Sequence, residues 1–203
     1  MFKPRMARKS LARYRAKGLD RLDRHVLESA SADGVDGIDV LEIGGGIGAI
    51  QSELLESGAT RGEIVELVSA WEPYASELAH EKGLAERTTF RVADVLDEPD
   101  AVSPADVVVL NRVVCCSPDG VELTRSAARL TRRTLVLSFP RNVFWFRAGT
   151  SMLNTVFRVL GRSYRIFLHP RASLVAAAAD EGLAVADEGQ TFAWEYLALR
   201  RVP

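Results

Sequence analysis

The chain is 203 residues long, with 47% hydrophobic and 26% charged side chains, a balance suited to one globular domain with a substantial core. A formal charge of −1 and a pI near 6.3 exclude a generally basic nucleic-acid binder. The two cysteines, Cys115 and Cys116, are adjacent, so they form neither a long-range staple nor a Cys-x-x-Cys metal pair, and a reducing, cytoplasmic setting is expected.

In chain order, Leu11, Tyr14, Gly18, Leu22 and Val26 recur at three- and four-residue steps and predict one or two amphipathic helices over roughly 7–30, bent near Gly18. Residues 1–24 carry nine basic side chains, from Lys3 to Arg24, against Asp20 and Asp23. Despite the Arg-rich start, no apolar signal-peptide core follows Met1. After a small-residue linker at 31–37, strands are expected near 38–43, 62–68, 88–93, 105–111 and 134–139, with helices near 47–57, 73–83 and 119–132. This alternation predicts a parallel sheet covered by helices on both faces. The continuously apolar Val107 to Leu110 suits a central strand. Past Pro140 comes an inserted amphipathic helix, its stripe running from Trp145 through Met152, Leu153 and Val156 to Leu160. It contains two arginines and is a poor membrane-spanning candidate. A helix near 171–181 and two final strands close the chain.

The first strand runs into Glu42-Ile43-Gly44-Gly45-Gly46-Ile47-Gly48. Glycines at 44, 46 and 48 let backbone approach a ligand closely. A loop for pyrophosphate relies on the positive N-terminus of the helix behind it, whereas a carboxylate at the strand end repels phosphate and attracts an ammonium group. Glu42 therefore favours a cationic nucleoside over a dinucleotide. Glu66 follows Gly46 by 20 residues, and Asp94 closes the third strand.

The segment 40–49, with Glu66 and Asp94 in register, resembles the motifs of class I S-adenosylmethionine-dependent methyltransferases. The resemblance covers about 38–200 and implies an α/β fold with a doubly wound, mostly parallel seven-stranded, Rossmann-like sheet closed by an antiparallel hairpin. N-terminal helices over 1–36 and an insert over about 141–170 would form a lid on a core spanning 37–203. The cofactor is then S-adenosyl-L-methionine, held by Glu42, Gly44, Gly46, Gly48, Glu66, Leu67, Asp94, Val95 and Asn111. The expected activity is methylation of a small molecule, with oxygen the preferred acceptor atom. The acceptor is hydrophobic or aromatic, or anionic if the arginines of the insert face the mouth. Tyr14, Arg112 and Trp145 are candidate substrate contacts. His169 is a candidate general base or, equally, a brace for the helix that follows it. Neither nucleic acid nor a resident metal is expected, and membrane contact would be peripheral at most. The run 111–118 lacks the Asn-Pro-Pro-Tyr of amino-methylating enzymes. Distant similarity extends to magnesium-protoporphyrin O-methyltransferases. Two rivals remain open: an NAD-dependent oxidoreductase using Glu66 on the ribose, and a non-catalytic cofactor-binding scaffold. Glu66 is expected to serve only the ligand, leaving no buried partner behind if removed.

Overall fold

The computed structural model describes residues 4–161 and 164–202, so Lys3 and Arg162 of the two basic segments lie outside the described residues. Seven strands form one sheet: β1 (Asp39–Ile43), β2 (Arg61–Glu66), β3 (Thr88–Val92), β4 (Ala105–Asn111), β5 (Thr131–Pro140), β6 (Leu183–Gln190) and β7 (Trp194–Arg201). Their order is β3-β2-β1-β4-β5-β7-β6, with the first five parallel and β7 antiparallel to both β5 and β6. The helices are α1 (Pro4–Lys17), α2 (Arg21–Ser31), α3 (Ala49–Glu56), α4 (Glu72–Glu81), α5 (Gly120–Arg129), α6 (Phe144–Val159) and α7 (Arg171–Ala179).

Side-chain alternation along the central strands divides the core between the two faces. Val107, Val109 and Val136 pack with Val26 and Ala30 of α2 and Ile50 and Leu54 of α3. Val108, Leu110, Leu135 and Leu137 point the other way, onto Leu123 and Ala127 of α5 and Leu174 of α7. Leaving β1, the chain builds β2 and β3 on one side and returns to place β4 on the other. That reversal opens a crevice at the carboxyl ends of the strands, where open α/β sheets bind ligands.

Of the one or two N-terminal helices anticipated from periodicity, the structure has two. Gly18, with φ of +64°, ends α1 after donating its N–H to the Tyr14 carbonyl. Asp20 then caps α2 through a reciprocal pair of bonds with Asp23. Helix α2 belongs to the core layer, Val26 being fully buried, so only α1 and the first turn of α2 reach the crevice.

Leu137 on β5 has no exposed surface, whereas Val159 on α6 is 80% exposed. Leu137→Ala is expected to lower the free energy of unfolding by about 2–5 kcal/mol, and Val159→Ala to change it by less than about 0.5 kcal/mol. Urea unfolding followed by circular dichroism measures both.

Candidate functional site

A cleft of about 1080 Å³ opens at the carboxyl ends of β1, β2, β3 and β4. Its floor is the glycine loop, and the two glutamates that bracket this loop take up the backbone donors a phosphate would use. Gly46 N donates to Glu66 Oε1 at 2.8 Å, and Gln51 N, in the first turn of α3, donates to Glu42 Oε2 at 3.2 Å. Gly46 turns with φ of +60°, and a Cβ at Gly45 would lie 2.8 Å from Glu42 Cδ, so the loop closes over the carboxylate only without a side chain there. Glu42 is 3% exposed. Burial, reinforced by the charges of Asp23 and Glu66, lifts its carboxyl from 4.5 to about 8 against the opposing bond from Gln51. Burial also raises Glu66, opposed by the N–H groups of Gly46, Leu67 and Val68. Glu66 thus organises its own loop, and its removal would strand the Gly46 N–H. The expectation that it serves only a ligand is corrected by these bonds.

Leu67, Asp94 and Val95 line the same cleft, as does Trp71, whose ring packs 3.4 Å from where a Gly46 Cβ would stand. Leu67 is exposed while Val95 is buried, which gives the cleft both an open apolar wall and a fixed one. Asp94 Oδ1 accepts the Leu96 N–H at 2.9 Å, fixing the turn after β3.

Beyond β4 a chain of polar contacts ties the crevice to α2. Asn111 Nδ2 donates to Asp23 Oδ1 at 2.8 Å, Ser138 Oγ donates to Asn111 Oδ1 at 2.7 Å, and Arg112 N donates to Ser138 Oγ at 2.9 Å. Arg112 has a φ of 61°, a left-handed conformation held against its own steric cost. Its guanidinium grips both oxygens of Asp20 at 2.7 and 2.9 Å, reaches Asp23 at 3.3 Å and lies over the Trp194 ring at 5.4 Å. Although burial opposes it, the Asp23 N–H and the Arg112 guanidinium hold the Asp20 carboxyl down at about 2. Arg112 lines the cleft but is already engaged, so its immediate work is to brace α2 against β4.

Tyr14 also lines the cleft, with its hydroxyl bonded to Glu53 and Lys82 over its ring. Three candidates lie elsewhere. Gly48 is the N-cap of α3 and packs on Ile64 behind the loop. His169 Nε2 meets the Ser117 carbonyl at 3.0 Å and its ring abuts Gly120. Facing a carbonyl, that nitrogen must donate, so His169 braces the loop ahead of α5. Trp145 stands on the solvent side of α6, and Arg147, Arg158 and Arg165 line a separate cavity, so among the described residues the insert brings no arginine to the cleft.

Four residues not singled out from sequence join the site: Asp23, Trp71, Cys116 and Tyr164. In the sequence Asp23 was only one of two acids among nine basic side chains, and its partners lie 88 and 89 positions away. Cys116 Sγ and the Tyr164 hydroxyl are 3.6 Å apart. A bond from Cys115, opposed by burial, brings the Cys116 thiol down to about 7, while that bond and burial push Cys115 up.

No protein-family model and no curated protein matches the chain. Among solved structures it is similar to magnesium protoporphyrin IX methyltransferase from Synechocystis with bound SAH, at a TM-score of 0.72 and 20% identity, covering 90% of this chain and 83% of that one. An O-methyltransferase family protein from Burkholderia thailandensis gives 0.73 and 21%, covering 97% of this chain and 58% of that one. The N-methyltransferase NodS from Bradyrhizobium japonicum, in complex with S-adenosyl-L-homocysteine, gives 0.64 and 13%, covering 96% and 98%. The chain has the class I methyltransferase fold. Within that fold the seven-stranded, mostly parallel sheet and its antiparallel closing pair are as the sequence resemblance implied.

Because Glu42 stays protonated in the folded chain to about pH 8 but ionises near 4.5 when unfolded, folding loses stability as pH rises through that window. The ligand-free melting temperature should therefore fall between pH 4.5 and 8 through this group, and Glu42→Gln should flatten that part of the profile in a thermal scan.

Proposed function

We propose that the chain is an S-adenosylmethionine-dependent methyltransferase acting at oxygen on a small hydrophobic or aromatic acceptor. The observation that carries the reading is that the backbone donors of the glycine loop and of the first turn of α3 are already satisfied by Glu66 and Glu42. A pyrophosphate would have to displace two buried carboxyl groups, whereas a cationic nucleoside lies against both and favours loss of the proton that burial keeps on Glu42. The remaining lining agrees in sign, because seven carboxylates face it (Asp23, Glu42, Glu66, Asp94, Asp97, Asp119 and Glu122) against the guanidiniums of Arg13, Arg112 and Arg129. This argues against the NAD-dependent alternative and against an anionic acceptor.

In this reading Gly44 and Gly46 approach the amino-acid part of the cofactor, Glu66 takes the ribose hydroxyls, Leu67 packs on the adenine and Asp94 with Val95 meets its edge. S-adenosylmethionine, when bound, supplies a methyl group on a sulfonium centre. The protein's contribution is alignment of acceptor and methyl, worth up to about 7–11 kcal/mol in well-oriented systems, together with exclusion of water by α1 and the segment around Tyr164. Cys116 and Tyr164 are the groups we assign to the acceptor side. The bonds made by His169 favour a positioning role over that of a base. The similar structures include both an O-methyltransferase family protein and an N-methyltransferase, so the preference for oxygen rests on the run 111–118, which lacks the Asn-Pro-Pro-Tyr of amino-methylating enzymes.

Calorimetric titration should give a clear signal with S-adenosylhomocysteine and none with NAD. Glu66→Gln, which keeps an acceptor for the Gly46 N–H, should weaken the nucleoside at least about tenfold while the protein stays folded, and Glu66→Ala should in addition lower the melting temperature. A methyl-donor assay against a metabolite panel separates an enzyme from a non-catalytic scaffold. An NAD signal without one from the thioether nucleoside ends the methyltransferase reading.

A further inference from the structure

We propose that the outward face of α6 docks the protein onto an anionic phospholipid bilayer, with the helix lying in the plane of the membrane surface. The helix faces its apolar stripe away from the protein. Its inner side is fixed by Asn154, whose side chain bonds both the carbonyl of Ile166 at 2.8 Å and its N–H at 2.9 Å, and by ring contacts of Phe157 with Tyr164 and Phe146 with Phe192. That arrangement turns Trp145, Met152, Val156 and Val159 to solvent, with Trp145 63% and Met152 69% exposed, and none of the helix is buried. Phe144 and Phe192 are also exposed, at 81% and 83%, and extend the apolar surface with the aromatic side chains that suit a membrane interface. A patch of this kind on a folded domain marks an interaction surface.

Charge selects the occupant. Residues 141–171 contain six arginines and no acidic residue, whereas the chain as a whole carries −1, so all the rest sums to −7. Arg147 and Arg158 stand on the polar face of α6, opposite Met152 and Val156, and with Arg165 line an open cavity of about 700 Å³ between α6 and the segment 165–170. Both are exposed and, among the described residues, neither makes an ion pair, so their long side chains can extend along the sides of the helix to headgroup phosphates. An anionic surface attracts this face. A second copy of the chain is the less favoured occupant, since a two-fold contact across the patch would set arginines against arginines. At 16 residues the helix is about 24 Å long, shorter than the roughly 30 Å of a hydrocarbon core. No described helix is long and apolar enough to cross a membrane. The proposal is independent of the methyl-transfer reading.

The test is flotation of the full chain with phosphatidylcholine vesicles, with or without phosphatidylglycerol, over a salt series, alongside gel filtration. Binding is expected only with phosphatidylglycerol and should weaken as salt rises. Arg147→Gln with Arg158→Gln should weaken it about 30-fold, at about fivefold per arginine near the surface. The triple change Trp145→Ser, Met152→Ser and Val156→Ser, all at exposed positions, should abolish binding with an unchanged circular dichroism spectrum. No binding to phosphatidylglycerol vesicles, undiminished binding by the triple variant, or a dimer that the triple variant dissolves would each overturn the proposal.

Discussion

Two buried carboxylates under a glycine loop set the character of this molecule. Glu42 and Glu66 stand at the carboxyl ends of adjacent parallel strands, and among the described residues no cation pairs with either. Backbone N–H groups from the loop and from the start of α3 are what hold them. Such burial is costly for a charge, and the fold meets that cost by keeping Glu42 protonated, with a carboxyl near 8. The side-chain-free positions of the loop follow from this arrangement. Only a backbone without Cβ at Gly45 can close over Glu42, and only a left-handed turn at Gly46 can aim its N–H at Glu66.

The rest of the architecture positions that pair. The sheet reversal between β1 and β4 creates the crevice, and α1 lies across one side of it through Tyr14. The polar chain from Asp20 and Asp23 through Asn111, Ser138 and Arg112 fastens α2 to the end of β4. The strained backbone at Arg112 is sustained by its two carboxylate partners and by Trp194, so the wall of the crevice is set by contacts that converge from α2, β4, β5 and β7.

Much of this was legible in the amino-acid order because it is local. The glycine loop, the acid two residues ahead of it, and the carboxylates at the ends of β2 and β3 are each set by strand-end position, and strand positions follow from apolar periodicity. What escaped was long-range. Asp23 stands in the sequence as an acid among basic neighbours, yet it meets Asn111 across 88 positions. His169 has the chemistry of a base, but its neighbour is the Ser117 carbonyl. The stripe on α6 was visible in sequence, but periodicity gives a face and not its direction. The clamp between Asn154 and Ile166, a contact of side chain with backbone, turns that stripe outward.

The central claim, that a neutral buried Glu42 awaits a cationic nucleoside, is tested most directly by counting protons on binding. The calorimetric enthalpy of S-adenosylmethionine binding at pH 7 should differ between phosphate and Tris buffers by the amount that corresponds to release of up to one proton, and Glu42→Gln should remove the difference. Binding with no proton release, or release that persists in Glu42→Gln, would contradict the account.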